Sequence, residues 1–178
     1  MKALVIGHNA RSKGAYSSIL GQSEYDYYSD IAKTISELVP TIDIYERKSD
    51  LNYVREMSKV IQSINLHNYD FVLELHFNSA STPNANGCEV LAHKNSHKGQ
   101  KLSKLFLDAL TKEYNLKNRG IINIESSNQR GGYGISKTNC PYILIEPFFA
   151  NNKEAEKFKD KEKFAKFLLK FISEAKLW

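Results

Sequence analysis

The chain has 178 residues, 42% of them hydrophobic and 25% charged, the balance of an ordinary globular domain large enough to bury a core. No apolar run approaches the ~18–20 residues of a membrane-spanning helix, and two cysteines, Cys88 and Cys140, are too few for a disulfide framework or a cysteine-type zinc site. A net charge of +5 favours acidic partners such as nucleic acid, anionic lipid or an anionic cell wall, without choosing among them.

Residues 2–6 (K-A-L-V-I) form a short apolar run closed by Gly7, the pattern of a strand buried on both faces. Only four apolar residues follow Met1-Lys2, too few for a signal-peptide core, so the expectation is a chain made in the cytoplasm without a leader. Residues 7–21 are polar and glycine-containing and read as a loop of functional length. Ser23 is placed to cap a helix over 24–38, with Tyr27, Tyr28, Ile31, Ile35 and Leu38 along one stripe and Pro40 beyond its end. Residues 41–46 alternate as a second strand, and 53–64 read as a second helix through Val54, Met57, Ile61 and Ile64.

Residues 70–79 (D-F-V-L-E-L-H-F-N-S) give the clearest strand. Phe71, Leu73, Leu75 and Phe77 take one face, and Val72, Glu74, His76 and Asn78 take the other. A short strand at 88–92, a helix over 98–114 and a strand at 120–124 follow. Residues 125–139 are rich in glycine and serine, with a short strand expected near Ile135. Residues 141–146 (P-Y-I-L-I-E) form the last central strand, and one amphipathic helix over 153–175 closes the chain on Phe158, Phe164, Phe167, Leu168 and Phe171. The alternation predicts one α/β domain over 1–178, with a mostly parallel, twisted central sheet of about six strands and helices on both faces.

Three apolar strands thus deliver His8, His76 and Glu146 at their carboxyl ends, where ligands sit in open α/β sheets. A catalytic zinc takes three nitrogen or oxygen ligands plus water. His8, His76 and one carboxylate would supply them, and spacing leaves Glu24 and Glu74 both open as the third. Glu146, flanked by Ile143-Leu144-Ile145 and Pro147-Phe148-Phe149, sits in surroundings that raise a carboxyl pKa, as a general base acting near neutrality requires. His67, His93 and His97 fall in polar segments and read as solvated.

At these residues the sequence resembles the zinc-dependent N-acetylmuramoyl-L-alanine amidases of the amidase-3 type, including catalytic domains of phage endolysins. The matching features are Gly7-His8, Gly14-Ala15, Glu24, His76-Phe77-Asn78, Arg119-Gly120, and Pro141 to Glu146 followed by Phe149, Asn152 and Glu154-Ala155-Glu156. Asn9-Ala10-Arg11 stands where that family often has glycines, and Phe148 where it usually has one. The resemblance implies zinc bound by His8, Glu24 and His76, with Glu146 as catalytic acid/base. It also implies peptidoglycan as substrate, cut between N-acetylmuramic acid and L-alanine, and action on the cell wall after release from the cytoplasm, as in phage-driven host lysis. Asn78, Arg119 and Lys137 are the expected substrate contacts, the last two because stem peptides carry carboxylates. A nucleic-acid role is not expected, because the aromatics among the lysines of 153–176 fall at core spacing; nor is stable membrane association. A monomer is expected.

Overall fold

In the computed structural model, which describes residues 1–177, the chain builds six principal strands, a two-stranded ribbon and five α-helices. Strand β1 (Lys2–Ile6) lies inside the sheet and buries every residue but Lys2. The loop after it is not wholly irregular: β2 (Tyr16–Ser17) and β3 (Gln22–Ser23) pair antiparallel and fold it back over the strand ends. Helix α1 (Glu24–Leu38) starts as the capping signal predicts, the Ser23 side chain accepting from Asp26 N, an arrangement worth about 1 kcal/mol.

Strand β4 (Asp43–Glu46), helix α2 (Tyr53–Asn65), strands β5 (Phe71–Leu75) and β6 (Cys88–His93), helix α3 (His97–Tyr114) and strand β7 (Asn118–Ile124) follow in turn. Helix α4 (Gly132–Lys137), strand β8 (Tyr142–Glu146), a 3₁₀ segment (Lys153–Phe158) and helix α5 (Lys161–Glu174) complete the chain. The sheet order is β4-β1-β5-β8-β6-β7. All neighbours are parallel except β8 and β6, so β6 and β7 run against the other four. The expected six-stranded, mostly parallel α/β domain is what the chain forms.

Two details differ from expectation. The segment around Ile135 is helical rather than a strand, because it lies on the sheet instead of joining it: Gly131 turns the chain at φ 69°, and a Cβ on Gly134 would lie 2.7 Å from the Tyr142 ring. The C-terminal helix is broken after Phe158, where Asp160 accepts from Lys163 N and starts a new helix. The helical spacing runs through the break because Phe158 and Phe164 pack on one aromatic cluster with Tyr114 and Phe148.

Helices α1, α3 and α5 cover one sheet face over Leu4, Ile6, Phe71, Leu73, Leu75, Ile143 and Ile145, while α2 and α4 cover the other over Ala3, Val5, Val72, Leu91, Tyr142 and Leu144. This second face carries the chemistry. Strand pairing matches Ile6 with Glu46, Ile6 with Leu75, and Leu75 with Ile145. Two hydrogen bonds carry the ladder one residue further, Gly7 N to Leu75 O and His76 N to Ile145 O, both 3.2 Å. Arg47, Gly7, His76 and Glu146 therefore stand in one row across four strands, and Glu89 of β6 pairs with Glu146 at its end. Side chains in a row share a face.

Candidate active site

Gly7 makes the row possible. A Cβ there would lie 2.0 Å from His76 Nε2, so the strand beside His76 has to be bare for the imidazole to fit. His76 then holds carboxylates at both ring nitrogens: Nδ1 is 2.8 Å from Glu24 Oε1, and Nε2 is 3.0 Å from Glu74 Oε1. The other Glu24 oxygen is 3.2 Å from His8 Nε2, and the two imidazoles meet edge to face at 4.9 Å. Backbone N–H groups of Phe77 and Ala15 also donate to Glu24, at 3.0 and 3.2 Å. Gly14, at φ 77°, gives this carboxylate room, since a Cβ there would be 2.6 Å from Glu24 Oε2.

The charges explain one another. Burial opposes ionisation of Glu24, but the two histidines outweigh it and hold its pKa at about 2. Burial likewise opposes a charge on His76, but Glu24 and Glu74 raise its pKa to about 10. Glu74 is 1% exposed and also accepts from the Tyr142 hydroxyl at 2.9 Å. It thus backs the outer nitrogen of His76 instead of facing His8.

Glu146, one strand over, is 3% exposed. Burial is the largest influence on it and raises its pKa to about 7, against the lowering effect of His76 and Arg130. Arg130 pairs with Oε1, while Oε2 is buried without a hydrogen-bond partner among the described residues. An unsatisfied carboxylate oxygen in a dry site is costly, and such atoms concentrate where chemistry needs them.

One ligand atom each from His8, Glu24 and His76 fit within 4.8 Å of one another, a group able to hold a metal ion. The donor set suits zinc: two imidazoles and a carboxylate, with the outer nitrogens engaged by Ser12 O at 3.2 Å (His8 Nδ1) and by Glu74 (His76 Nε2). With neutral imidazoles, the carboxylates of Glu24 and Glu74 balance a divalent cation. The triad and Glu146 border one cleft of about 560 Å³.

Of the expected substrate contacts, Asn78 borders this cleft, but its amide is buried and donates to Glu89 at 2.5 Å. Arg119 does not border it; its Nε donates to Glu89 at 2.6 Å and its guanidinium lies 5.0 Å from the Phe149 ring centroid. Lys137 does not border it either; it ends α4, where its carbonyl accepts from Asn65, the last residue of α2. The cleft instead presents Arg11, Arg47, Tyr53 and Arg130, which sequence reasoning passed over. Arg47 was within reach of the rule that found His76 and Glu146, since it directly follows a strand. Arg130 lies in a glycine-rich loop and carried no such signal.

A His/Glu cluster beside a buried carboxylate with one unpartnered oxygen, at the carboxyl ends of the strands of an α/β domain, is an arrangement a hydrolase can use. The Amidase_3 family model, described as N-acetylmuramoyl-L-alanine amidase, matches residues 3–175, and the chain belongs to that family. The fold is similar to that of the catalytic domain of the CD27L endolysin targeting Clostridia difficile (TM-score 0.76, 24% identity, covering 97% of this chain and 96% of that one). It is also similar to the CwlD amidase from Clostridioides difficile, solved with the GerS lipoprotein (0.74, 19%, 97% and 98%). A third similar structure is the catalytic domain of CwlV, an N-acetylmuramoyl-L-alanine amidase from Bacillus (Paenibacillus) polymyxa var. colistinus (0.70, 20%, 98% and 97%). No curated protein matches the sequence.

Proposed function

We propose that this protein is a zinc-dependent amidase that hydrolyses the bond between the lactyl group of N-acetylmuramic acid and L-alanine in peptidoglycan. The observation that carries the reading is the convergence of His8 Nε2, Glu24 and His76 Nδ1 beside a buried carboxylate with a free oxygen. His8, Glu24 and His76 hold the zinc, and Glu74 keeps His76 in the tautomer whose Nδ1 lone pair faces inwards. Zinc in that place supplies a Lewis acid that polarises the scissile carbonyl. Glu146 Oε2 takes the proton from the attacking water and returns it to the departing alanine nitrogen. Arg130 holds Oε1 and so keeps Oε2 directed at the reacting atoms. Asn78 borders the same cleft, and Asn78–Glu89 hydrogen bonding steadies the loop after β5.

The experiment is zinc analysis paired with digestion of purified peptidoglycan. About one equivalent of zinc, loss of activity on chelation and its return with zinc support the reading; full activity in chelated protein contradicts it. The finer part of the proposal is lytic use, as an endolysin. It predicts that the protein clears a suspension of outer-membrane-permeabilised or Gram-positive cells, whereas release of peptide without loss of turbidity assigns it to wall remodelling.

The pH dependence follows from Glu146, which must be unprotonated to act as base. Its pKa of about 7 is the balance of burial, which raises it, against His76 and Arg130, which lower it, and a bound divalent cation would lower it further, so kcat/KM should fall on the acid side with an apparent pKa no higher than about 7. Arg130→Gln removes a lowering influence, and the limb is expected to move to higher pH in a pH–rate profile.

A further inference from the structure

The same row that carries His76 and Glu146 begins on Arg47, and nothing in the hydrolytic chemistry uses it. Arg47 is 4% exposed and borders the cleft. Its Nε is 3.2 Å from Glu56 Oε2 but outside hydrogen-bonding geometry, and among the described residues this buried nitrogen has no hydrogen-bond partner. Its carbon lies 4.9 Å from the centroid of the Tyr53 ring, which holds the guanidinium plane in place. A buried guanidinium with uncommitted donors beside a substrate cleft is costly unless an anion completes it.

The surroundings make this a built site. Glu56, 2% exposed, accepts from Asn9 Nδ2 at 2.9 Å, from Asp50 N at 3.0 Å and from Arg11. Its single charge faces both arginines, Arg11 at Oε1 and Arg47 at Oε2, so it neutralises only one of the two. Asp50 does not cancel the remainder, because its carboxylate is turned to Lys59 at 2.6 Å and Arg55 at 3.5 Å. Asn9 Oδ1 accepts from Arg11 N and Ser12 N, at 3.1 and 2.8 Å, and this turn brings Arg11 to the cleft. The cleft thus has a zinc-type pole and a cationic pole.

We propose that Arg47, with Arg11 beside it, binds the α-carboxylate of the second stem-peptide residue and selects stems in which that carboxylate is free over stems in which it is amidated. The inference rests on the amidase reading. In the stem, D-glutamate is linked through its side chain, so its α-carboxylate lies two peptide units from the scissile carbonyl, roughly 7 Å in extended chain. Arg47 and His76 stand two strands apart in the row, about 9.5 Å between backbones, close enough for one ligand to touch both poles. A carboxylate accepts two parallel N–H bonds from a guanidinium, and a neutral amide cannot do so.

The test compares N-acetylmuramoyl-L-alanyl-γ-D-glutamyl-L-lysine with its isoglutaminyl counterpart, in which only the α-carboxylate is amidated, as substrates of the zinc-loaded protein. The wild type is expected to prefer the free acid by at least about tenfold in kcat/KM. In Arg47→Met the ratio should fall below about 2, and in Arg11→Gln, an exposed change that keeps the fold, it should fall at least about threefold. Equal kcat/KM for the two substrates in the wild type, or an unchanged ratio in folded Arg47→Met, overturns the carboxylate pole and leaves the amidase reading standing. Cleavage of neither substrate overturns the amidase reading instead. Calorimetry with the two free γ-linked tripeptides then decides the pole alone: tighter binding of the acid by about tenfold supports it, and equal affinity overturns it.

Discussion

Glu146→Gln is expected to lower kcat on purified peptidoglycan by about 10³-fold, with KM little changed and zinc content unchanged, because it removes the proton acceptor and keeps the shape of the side chain. The same substitution should stabilise the protein once metal is chelated away. Glu146 has a folded pKa of about 7 against an ordinary 4.5, a rise driven first by burial. The folded state therefore binds this proton more tightly than the unfolded chain does, and stability falls as pH rises from about 4.5 to 7. The difference of 2.5 pH units sets an upper bound of about 3 kcal/mol on the cost of keeping this carboxylate ionised at pH 8. Glutamine escapes that cost. Denaturant melts of chelated protein should show the variant more stable at pH 8 and the gain vanishing near pH 4.5. A variant that loses activity through misfolding would show the reverse.

His76→Ala should have the largest effect on metal. The change removes one ligand of three and strips Glu24 and Glu74 of their shared partner. Losing only an outer partner costs about 10–100-fold in metal affinity, which is the range expected for Glu74→Gln. His76→Ala should exceed that range and leave protein with well under one equivalent of zinc after dialysis, with no measurable hydrolysis. It should also melt several degrees lower, since two buried carboxylates lose the imidazole between them, leaving Glu74 only the Tyr142 hydroxyl. Competition against a chromogenic chelator ranks the two variants. Equal zinc affinities for them contradict the ligand assignment.

The fold was legible because its signals were local. Continuous apolar runs marked β1, β5 and β8, and Ser23 marked the start of α1 to the residue. The two misjudged segments failed for tertiary reasons. Ile135 sits in a helix because glycines bring that segment against Tyr142, and the C-terminal stripe hid a break because both pieces pack on the same aromatic cluster. At the site, strand-end position brought His76 and Glu146 forward, and the family resemblance chose between Glu24 and Glu74. The structure places Glu24 between the two histidines and Glu74 behind one of them. Charge alone did not say where in the fold a cation would stand. Arg119 and Lys137 were singled out as cations without knowledge of their partners, and one is committed to Glu89 while the other lies away from the cleft. Arg47 follows a strand as His76 does, but its place beside the cleft depends on the sheet order that sets β4 beside β1, while Arg11 and Arg130 come from loops.

Mass spectrometry of the products of a peptidoglycan digest by the zinc-loaded protein tests the central claim most directly. The account predicts stem peptides that begin with a free L-alanine amine, together with glycan strands whose muramic acid keeps an intact lactyl carboxylate. Peptides cut within the stem, sugar fragments released with the stem still attached, or an undigested wall would contradict it.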